Sequence, residues 1–510
     1  MSGKFSSTIT GGAVIITFIG IISRGFGFIR EIVYAGSFGL QTNFEIYLIG
    51  SVFPLSINTA VYYLAQNYFI PSYNRYLHES DSRASDFFNN VFWTFVLSSV
   101  VLTLSLFLLT PVIIEAYLKN TPIQLKETAS DIYKIFLLTI PFNTAYSVIT
   151  AYLYAKFDFK SPAISTLFLN IVIIILVIFF DELLGVFSIP VGYLAGTILQ
   201  FLFLLYIPKI RSESLFRNIN FNLGKFERLK QVLFFTILVE VINQIYPLVD
   251  RYFYGNVEEG GIAALNFALV VYVFPISVFS LALSTAIFPG LSQLISNKDI
   301  DALQNQYVKG IRFNIFIFIP ISIIFIFFGD VVIKLLYERG KFTEAGTLLT
   351  YDALKIYTLS LIFYTSYAII NKTIYGAGLI KQLLIISLIA FGIKIFLNFY
   401  LVGLYEQNGL ALSTAVSFTL LSFGGYFLVS SKLKLAGSKT LLVVLLFYTL
   451  NGFLSLLQVK ILFSFLPYSP YLEIVSILLF ISFYSINLFI IKAGEFTHLK
   501  NVINRLLINN

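Results

Sequence analysis

The sequence predicts an all-α polytopic membrane protein of about fourteen transmembrane helices, in two parallel six-helix repeats plus a C-terminal helix pair. Three observations carry that reading. Of 510 residues, 58% are hydrophobic and only 12% charged, about half the charge of an ordinary water-soluble chain. Stretches such as "FLNIVIIILVIFF" (Phe168 to Phe180) and "GIRFNIFIFIPISIIFIFFG" (Gly310 to Gly329) belong to apolar segments long enough to cross a hydrocarbon core of roughly 30 Å. Finally, "FPLSI" at Phe53 recurs as "FPISV" at Phe274, an offset of 221 residues (274 − 53).

Taken in order, the first six spans lie near 8–36, 43–66, 88–112, 131–155, 161–180 and 185–207, forming an N-terminal lobe over 1–220. Six more, near 230–255, 261–290, 310–329, 351–376, 381–402 and 409–430, form a second lobe over 221–435. Two further spans near 440–463 and 471–492 occupy 436–510. The offset of 221 also superposes Arg30 on Arg251, "YKIF" at Tyr133 on "LKIY" at Leu354, and Tyr154…Lys160 on Tyr375…Lys381. It spans six helices, an even number, so the copies share topology. Parallel repeats with the substrate path between the halves are a transporter architecture. Pro54, Pro71, Pro275 and Pro289 mark expected kinks.

Loop charge orients the chain. Arg75/Arg83, Lys156/Lys160, the run from Lys209 to Lys230, Lys298/Lys309 and Lys432/Lys434/Lys439 follow even-numbered spans. Asp181/Glu182, Glu258/Glu259 and Glu406 follow odd-numbered ones. The positive-inside rule then puts both termini in the cytoplasm. Lys334, Arg339 and Lys341, after span nine, run against this pattern. The N-terminus shows no cleavage site after its apolar core, so the first span reads as retained.

Charges also lie inside spans. "SRGFGFIRE" (Ser23 to Glu31) puts Arg24 about 24 Å along the first helix, at 1.5 Å per residue. A guanidinium at mid-membrane costs roughly 2.5–3.5 kcal/mol, so it should face protein or a wet cavity. One reading is that Arg24 or Arg30 pairs with Glu31 or Glu45 to pin helices. The other is that these guanidiniums meet an anionic substrate, since the planar fork donates two parallel hydrogen bonds to phosphate. Asp250 and Arg251 on span seven, Lys355 on span ten, and Lys394 with Asn398 on span eleven are further intramembrane candidates.

Several chemistries are excluded. The chain has no cysteine, hence no disulfide, thiolate nucleophile or Cys-based metal site. His78 and His498 are its only histidines, both in polar contexts, and no metal site is expected. It has no phosphate-binding loop and no HExxH motif, so ATP is not a direct fuel and neither nucleotide nor nucleic acid is an expected partner. A net charge of +8 suits cytoplasmic loops. The loops are too short, and too poor in His, Asp and Glu clusters, to build an enzyme site, so transport is the better class.

The stretches "SRGFGFIRE", "DRYFYGNVEEGGIAALNFA" from Asp250, "AIFPGLSQ" from Ala286, "LLYERGKFT" from Leu335 and "NGLALSTAVS" from Asn408 resemble the MurJ/MviN lipid-flippase family. That family lies within the multidrug/oligosaccharidyl-lipid/polysaccharide exporter superfamily. The resemblance implies a V-shaped pair of lobes that alternates between inward-open and outward-open states and moves lipid II, a polyprenyl-diphosphate-linked cell-wall precursor, to the outer leaflet of the bacterial inner membrane. Cavity arginines would hold the diphosphate, and the last two helices would form a groove for the polyprenyl tail. Arg24 and Arg30 match two family arginines. The chain departs at Thr42-Asn43, where the family has Thr-Asp, with Glu45 two residues on. It departs also after Pro54, where Leu55 to Asn58 hold no arginine, and at Val270.

The candidate substrate-binding set is thus Arg24, Arg30, Glu31, Asn43, Glu45, Asn58 and Arg251. Sodium-site positions of some family members match Asp250, Lys394, Asn398 and Thr414, where the lysine ammonium would take the cation's place. No cofactor is expected, and the membrane potential is the expected driving force. A monomer in the lipid bilayer with a lipid-linked saccharide substrate is implied. Open alternatives are export of O-antigen, capsule or other lipid-linked repeats, a cation-coupled small-molecule antiporter, and a degenerate scaffold.

Overall fold

The computed structural model describes residues 9–119, 121–207, 210, 230–435, 437–464 and 471–491. The Lys209–Lys230 run, save its last residue, and His498 lie outside the described residues. Among the described residues the protein is all helix, without strands. They divide into two units. One comprises those within Met1–Phe267, Arg339–Gly346 and Asn398–Gln407, and the other those within Ala268–Glu338, Thr347–Leu397 and Asn408–Asn510.

In the first unit, α1 (Ile9–Phe38) is followed by α2 (Thr42–Leu64), a π-turn (Ala65–Phe69) and α3 (Ile70–Glu79). Pro71 has no N–H, so the carbonyl of Asn67, inside that π-turn, loses its helical donor. The Ser80 hydroxyl accepts from the Arg83 N–H and starts α4 (Asp81–Tyr117). The expected fourth span runs as α5 (Ile123–Leu137) and α6 (Thr139–Ala155), which meet at Leu138 and together make one 33-residue helix long and apolar enough to cross a membrane. Next come α7 (Lys160–Leu184), a 3₁₀ turn at Gly185–Phe187, and α8 (Ser188–Leu205). Gly192 and Gly196 let α8 approach α7 closely: a Cβ at either would stand 3.0 Å from the Cα of Ile173 or Leu169. α9 (Lys230–Tyr252) leads to α10 (Gly261–Pro275). The core of this unit includes an aromatic cluster in which Phe88 stacks on Tyr152 at 4.3 Å and Phe69 on Tyr73 at 5.3 Å.

In the second unit a π-turn (Ile276–Ser280) directly follows Pro275, then α11 (Leu281–Ser296). Asp299 caps α12 (Ile300–Phe327) by accepting from the Ala302 N–H at 3.1 Å. α13 (Gly329–Tyr337), α14 (Glu344–Thr358) and α15 (Leu361–Gly376) follow. The long α16 (Ile380–Leu433), whose residues Asn398–Gln407 belong to the first unit, breaks at Glu406, whose φ of +49° and ψ of −129° are strained for a side-chain-bearing residue. α17 (Ser438–Ser464) and α18 (Tyr471–Ile491) close the described chain. Amides join this last pair: Asn487 donates to Ser455 at 3.2 Å and to Gln458 at 3.1 Å, and Asn451 to the Tyr484 carbonyl at 3.3 Å. Lipid offers no hydrophobic drive between helices, so such polar pairs hold them together.

Nine described helices are long and apolar enough to cross a membrane, or ten with the α14–α15 pair, which bends by 50°. The expected fourteen spans do not map one to one: Lys160–Leu205 and Ile380–Leu433 each run through two of them, and the expected spans one and seven are not among these helices.

The repeat is visible helix by helix. α5 (Ile123–Leu137) recurs as α14 (Glu344–Thr358), displaced by 221 residues at both ends. Each is followed by a junction carrying a buried hydroxyl. Thr139 donates to the Phe136 carbonyl at 2.6 Å and accepts from Asn58 at 2.8 Å. Ser360, its counterpart, donates to the Tyr357 carbonyl at 2.8 Å and lies 2.9 Å from the Tyr272 hydroxyl.

Candidate functional site

On α1, Arg24 is exposed, Arg30 half-buried and Glu31 buried. Arg30 Nη2 donates to Glu31 at 2.7 Å and Nε donates to the same oxygen at 3.2 Å. Its Nη1 donates to the Asn170 side chain on α7 at 3.2 Å, and the guanidinium lies 5.5 Å from the Tyr34 ring centroid. The expected pairing of an arginine with Glu31 is therefore made by Arg30, and most of its donor fork is engaged. Asn170 was invisible as a partner because 140 residues separate it from Arg30.

Asn43 at the start of α2 is exposed, whereas Glu45 is fully buried. Glu45 closes over the N-terminus of α10. One carboxylate oxygen accepts from the Ile262 and Ala263 N–H groups at 2.8 and 3.1 Å, the other from Gly260 at 3.1 Å. A helix start leaves such N–H groups without partners and carries partial positive charge, so a carboxylate suits it. Around this cap, Thr42 donates to Glu259, Gln407 donates to Glu258, and the Glu258 N–H donates to Glu406 at 3.2 Å. Asn58 is buried and engaged: it donates to Thr139, and its carbonyl accepts from Asn143 at 3.0 Å. Arg251 is buried too, donating to the Ile262 carbonyl at 3.3 Å and the Asn266 side chain at 3.0 Å.

The four ion-site positions form two pairs. Asn398 donates to Asp250 at 3.0 Å in the first unit, and Lys394 donates to Thr414 at 2.9 Å in the second. Lys394 and Asn398 are both fully buried, one turn apart on α16. Lys355 is not the buried cation expected. It pairs at 2.7 Å with Asp352, three residues earlier on α14, with both side chains 40–49% exposed and its ammonium 4.3 Å from the Tyr351 ring centroid.

The basic loop that ran against the orientation pattern has local partners. The Lys341 N–H donates to the Gly36 carbonyl at 2.8 Å, and its ammonium donates to Asp181 at 3.4 Å, above the Phe38 ring. "ERGKFT" thus docks on the end of α1, where Gly340 (φ +58°) and Gly39 (φ +57°) supply the turn geometry.

Comparison with known proteins places this architecture. The family model described as lipid II flippase MurJ matches residues 65–485. A probable lipid II flippase MurJ of Buchnera aphidicola (Schizaphis graminum) is 26% identical over 431 residues, covering 82% of each chain. One of Borreliella burgdorferi is 24% identical over 460 residues, covering 87% of each. Among solved structures, lipid II flippase MurJ in an inward closed conformation aligns with a TM-score of 0.80 at 24% identity, over 97% of this chain and all of the other. An inward-facing multidrug-resistance MATE transporter shares the fold more distantly, with a TM-score of 0.66 and 14% identity over 83% of this chain. With a match that runs from the end of the second span to the last described helix, this polytopic membrane chain belongs to the MurJ lipid II flippase family.

Proposed function

We propose that this chain carries lipid II from the inner to the outer leaflet of a bacterial plasma membrane by alternating access. The observation that carries the reading is the family match over residues 65–485, joined to an intramembrane arginine, Arg24, on the exposed side of α1. In this reading the six-helix lobes 1–220 and 221–435 are the moving halves, and 436–510 guides the polyprenyl tail. Both termini are cytoplasmic and the working unit is a monomer.

Arg24 is the leading diphosphate ligand, because it is an exposed guanidinium in the middle of an apolar span. Arg30 serves as a second contact, its charge moderated by Glu31. Glu31, Glu45, Asn58 and Arg251 position helices around the path, and Asn43 is open for a head-group hydrogen bond. Moving a diphosphate of charge −2 outward across an inside-negative membrane gains about 4.6 kcal/mol per 100 mV. The membrane potential thereby suffices as a driving force without ATP.

The family's sodium site does not fit these residues. A bound cation needs oxygen lone pairs turned toward it, whereas the Lys394 ammonium already occupies the Thr414 hydroxyl as a donor. We therefore assign Lys394 the place of the ion, and no transport step involves sodium.

The test is complementation of a bacterium depleted of its own lipid II flippase, with wild type and Arg24→Ala compared at equal membrane levels. Rescue by wild type alone supports both the substrate and the role of Arg24. Failure of well-inserted wild type points to another lipid-linked saccharide, and rescue by Arg24→Ala removes Arg24 from the path.

A further inference from the structure

In the second unit, the end of α12, the start of α13, the last turns of α17 and the first turns of α18 enclose a cavity of about 480 Å³. That is within the roughly 300–1,000 Å³ range of small-molecule sites. Phe328, Leu456 and Val459 form apolar wall, and Leu456 and Val459 are buried. Three charged side chains share the same cavity: Asp330, Lys460 and Glu473. Nothing in the transport reading above uses them.

Two features restrict what this cavity can hold. Asp330 and Lys460 have opposite charge, yet among the described residues neither enters an ion pair. They face one space from separate helices, beyond direct contact, so a dipolar guest can satisfy both ends at once. The cavity also opens among apolar residues suited to lipid, with Leu457 and Ile461 beside Lys460 each more than half exposed.

We propose that this cavity seats the head group of a zwitterionic aminophospholipid. The lipid phosphate lies toward Lys460 and its primary ammonium toward Asp330 and Glu473, with the glycerol and first acyl carbons over Phe328, Leu456 and Val459. The charge balance selects the class. Two carboxylates against one ammonium disfavour an anionic glycerol lipid or a polyprenyl phosphate, which bring no cation for the acids. A choline head group carries a cation without N–H donors, and so loses the hydrogen bonds that a primary ammonium makes to carboxylates. This site is independent of which saccharide the protein carries.

The experiment is lipid competition on the purified full-length chain. Delipidated protein is exposed to equimolar dioleoyl phosphatidylethanolamine, phosphatidylglycerol and phosphatidylcholine, with undecaprenyl phosphate as a fourth competitor, and retained lipid is counted by native mass spectrometry. Wild type is expected to retain the ethanolamine lipid at least fivefold over each competitor. Asp330→Asn and Lys460→Gln, both near-isosteric, should each bring that ratio close to one while keeping the wild-type melting profile. The exchange Asp330→Lys with Lys460→Asp preserves net charge and should restore selectivity in part. Equal retention of the lipids by wild type, preference for either anionic competitor, or an unchanged ratio in both single variants would overturn the proposal.

Discussion

The Glu45 carboxylate stands 2.8 Å from the backbone nitrogen of Ile262, at the first turn of α10, and accepts two further N–H groups there. The carboxylate is fully buried, so its loss strands donors that have no water to turn to. Glu45→Gln presents an NH₂ group to a site made of donors. We expect it to cost about 2 kcal/mol, the scale of a charged hydrogen bond lost in a buried place. Its thermal denaturation midpoint in detergent should fall below that of wild type, and an unchanged midpoint would contradict the capping role.

Arg24 and Arg30 should separate cleanly. Arg30 holds Glu31 at 2.7 Å, and their side chains are only 23% and 10% exposed. Arg30→Ala leaves a poorly solvated carboxylate without its partner, at about 2 kcal/mol after allowance for partial exposure. Adding Glu31→Gln should return much of that stability. Arg24→Ala should leave the melting profile intact and abolish complementation. If Arg24→Ala melts earlier than Arg30→Ala, the two roles have been assigned the wrong way round.

Gly340 and Gly39 face each other's segments across the turn that docks "ERGKFT" on α1. A Cβ at Gly340 would lie 2.2 Å from the Gly36 carbonyl oxygen, and one at Gly39 would lie 2.2 Å from that of Lys341. Both glycines also have left-handed φ, so alanine meets strain and collision together. Gly340→Ala should displace the loop and expose the 339–346 backbone, read as faster amide exchange at Lys341. Exchange at the wild-type rate would refute the docking.

These cases show what a linear reading reaches. The repeat was legible because α5 and α14 keep the same length and offset, and the intramembrane charges of α1 stood out against an apolar run. The bend after Thr358 was not legible, since hydropathy averages straight through a buried Ser360. The role of Glu45 was hidden for a different reason: its three donors lie 215 to 218 residues away. The contacts of Lys341 with Asp181 and Gly36 were hidden too, since they join segments far apart in the chain. Lys355 looked like a buried cation because its span was read as one straight helix rather than a pair bent by 50°.

The Lys394–Thr414 contact leads to a prediction about sodium. Thr414 accepts from the Lys394 ammonium at 2.9 Å and donates its own hydroxyl to the Leu410 carbonyl at 3.0 Å, so the positive charge beside its oxygen is already supplied by the lysine. An ion within about 4 Å of that ammonium would meet repulsion of about 4 kcal/mol at an effective dielectric constant near 20, roughly a thousandfold in affinity. Replacing sodium by choline at constant ionic strength should therefore leave the wild-type flipping rate unchanged. Sodium should likewise leave the wild-type melting temperature where it is. Lys394→Asn removes the ammonium and supplies a carbonyl oxygen on the helix turn that faces Thr414. Sodium, and not choline, should then raise the melting temperature of this variant. Stabilisation of wild type by sodium would show that the ammonium and the ion coexist, and would overturn the assignment of Lys394 to the ion's place.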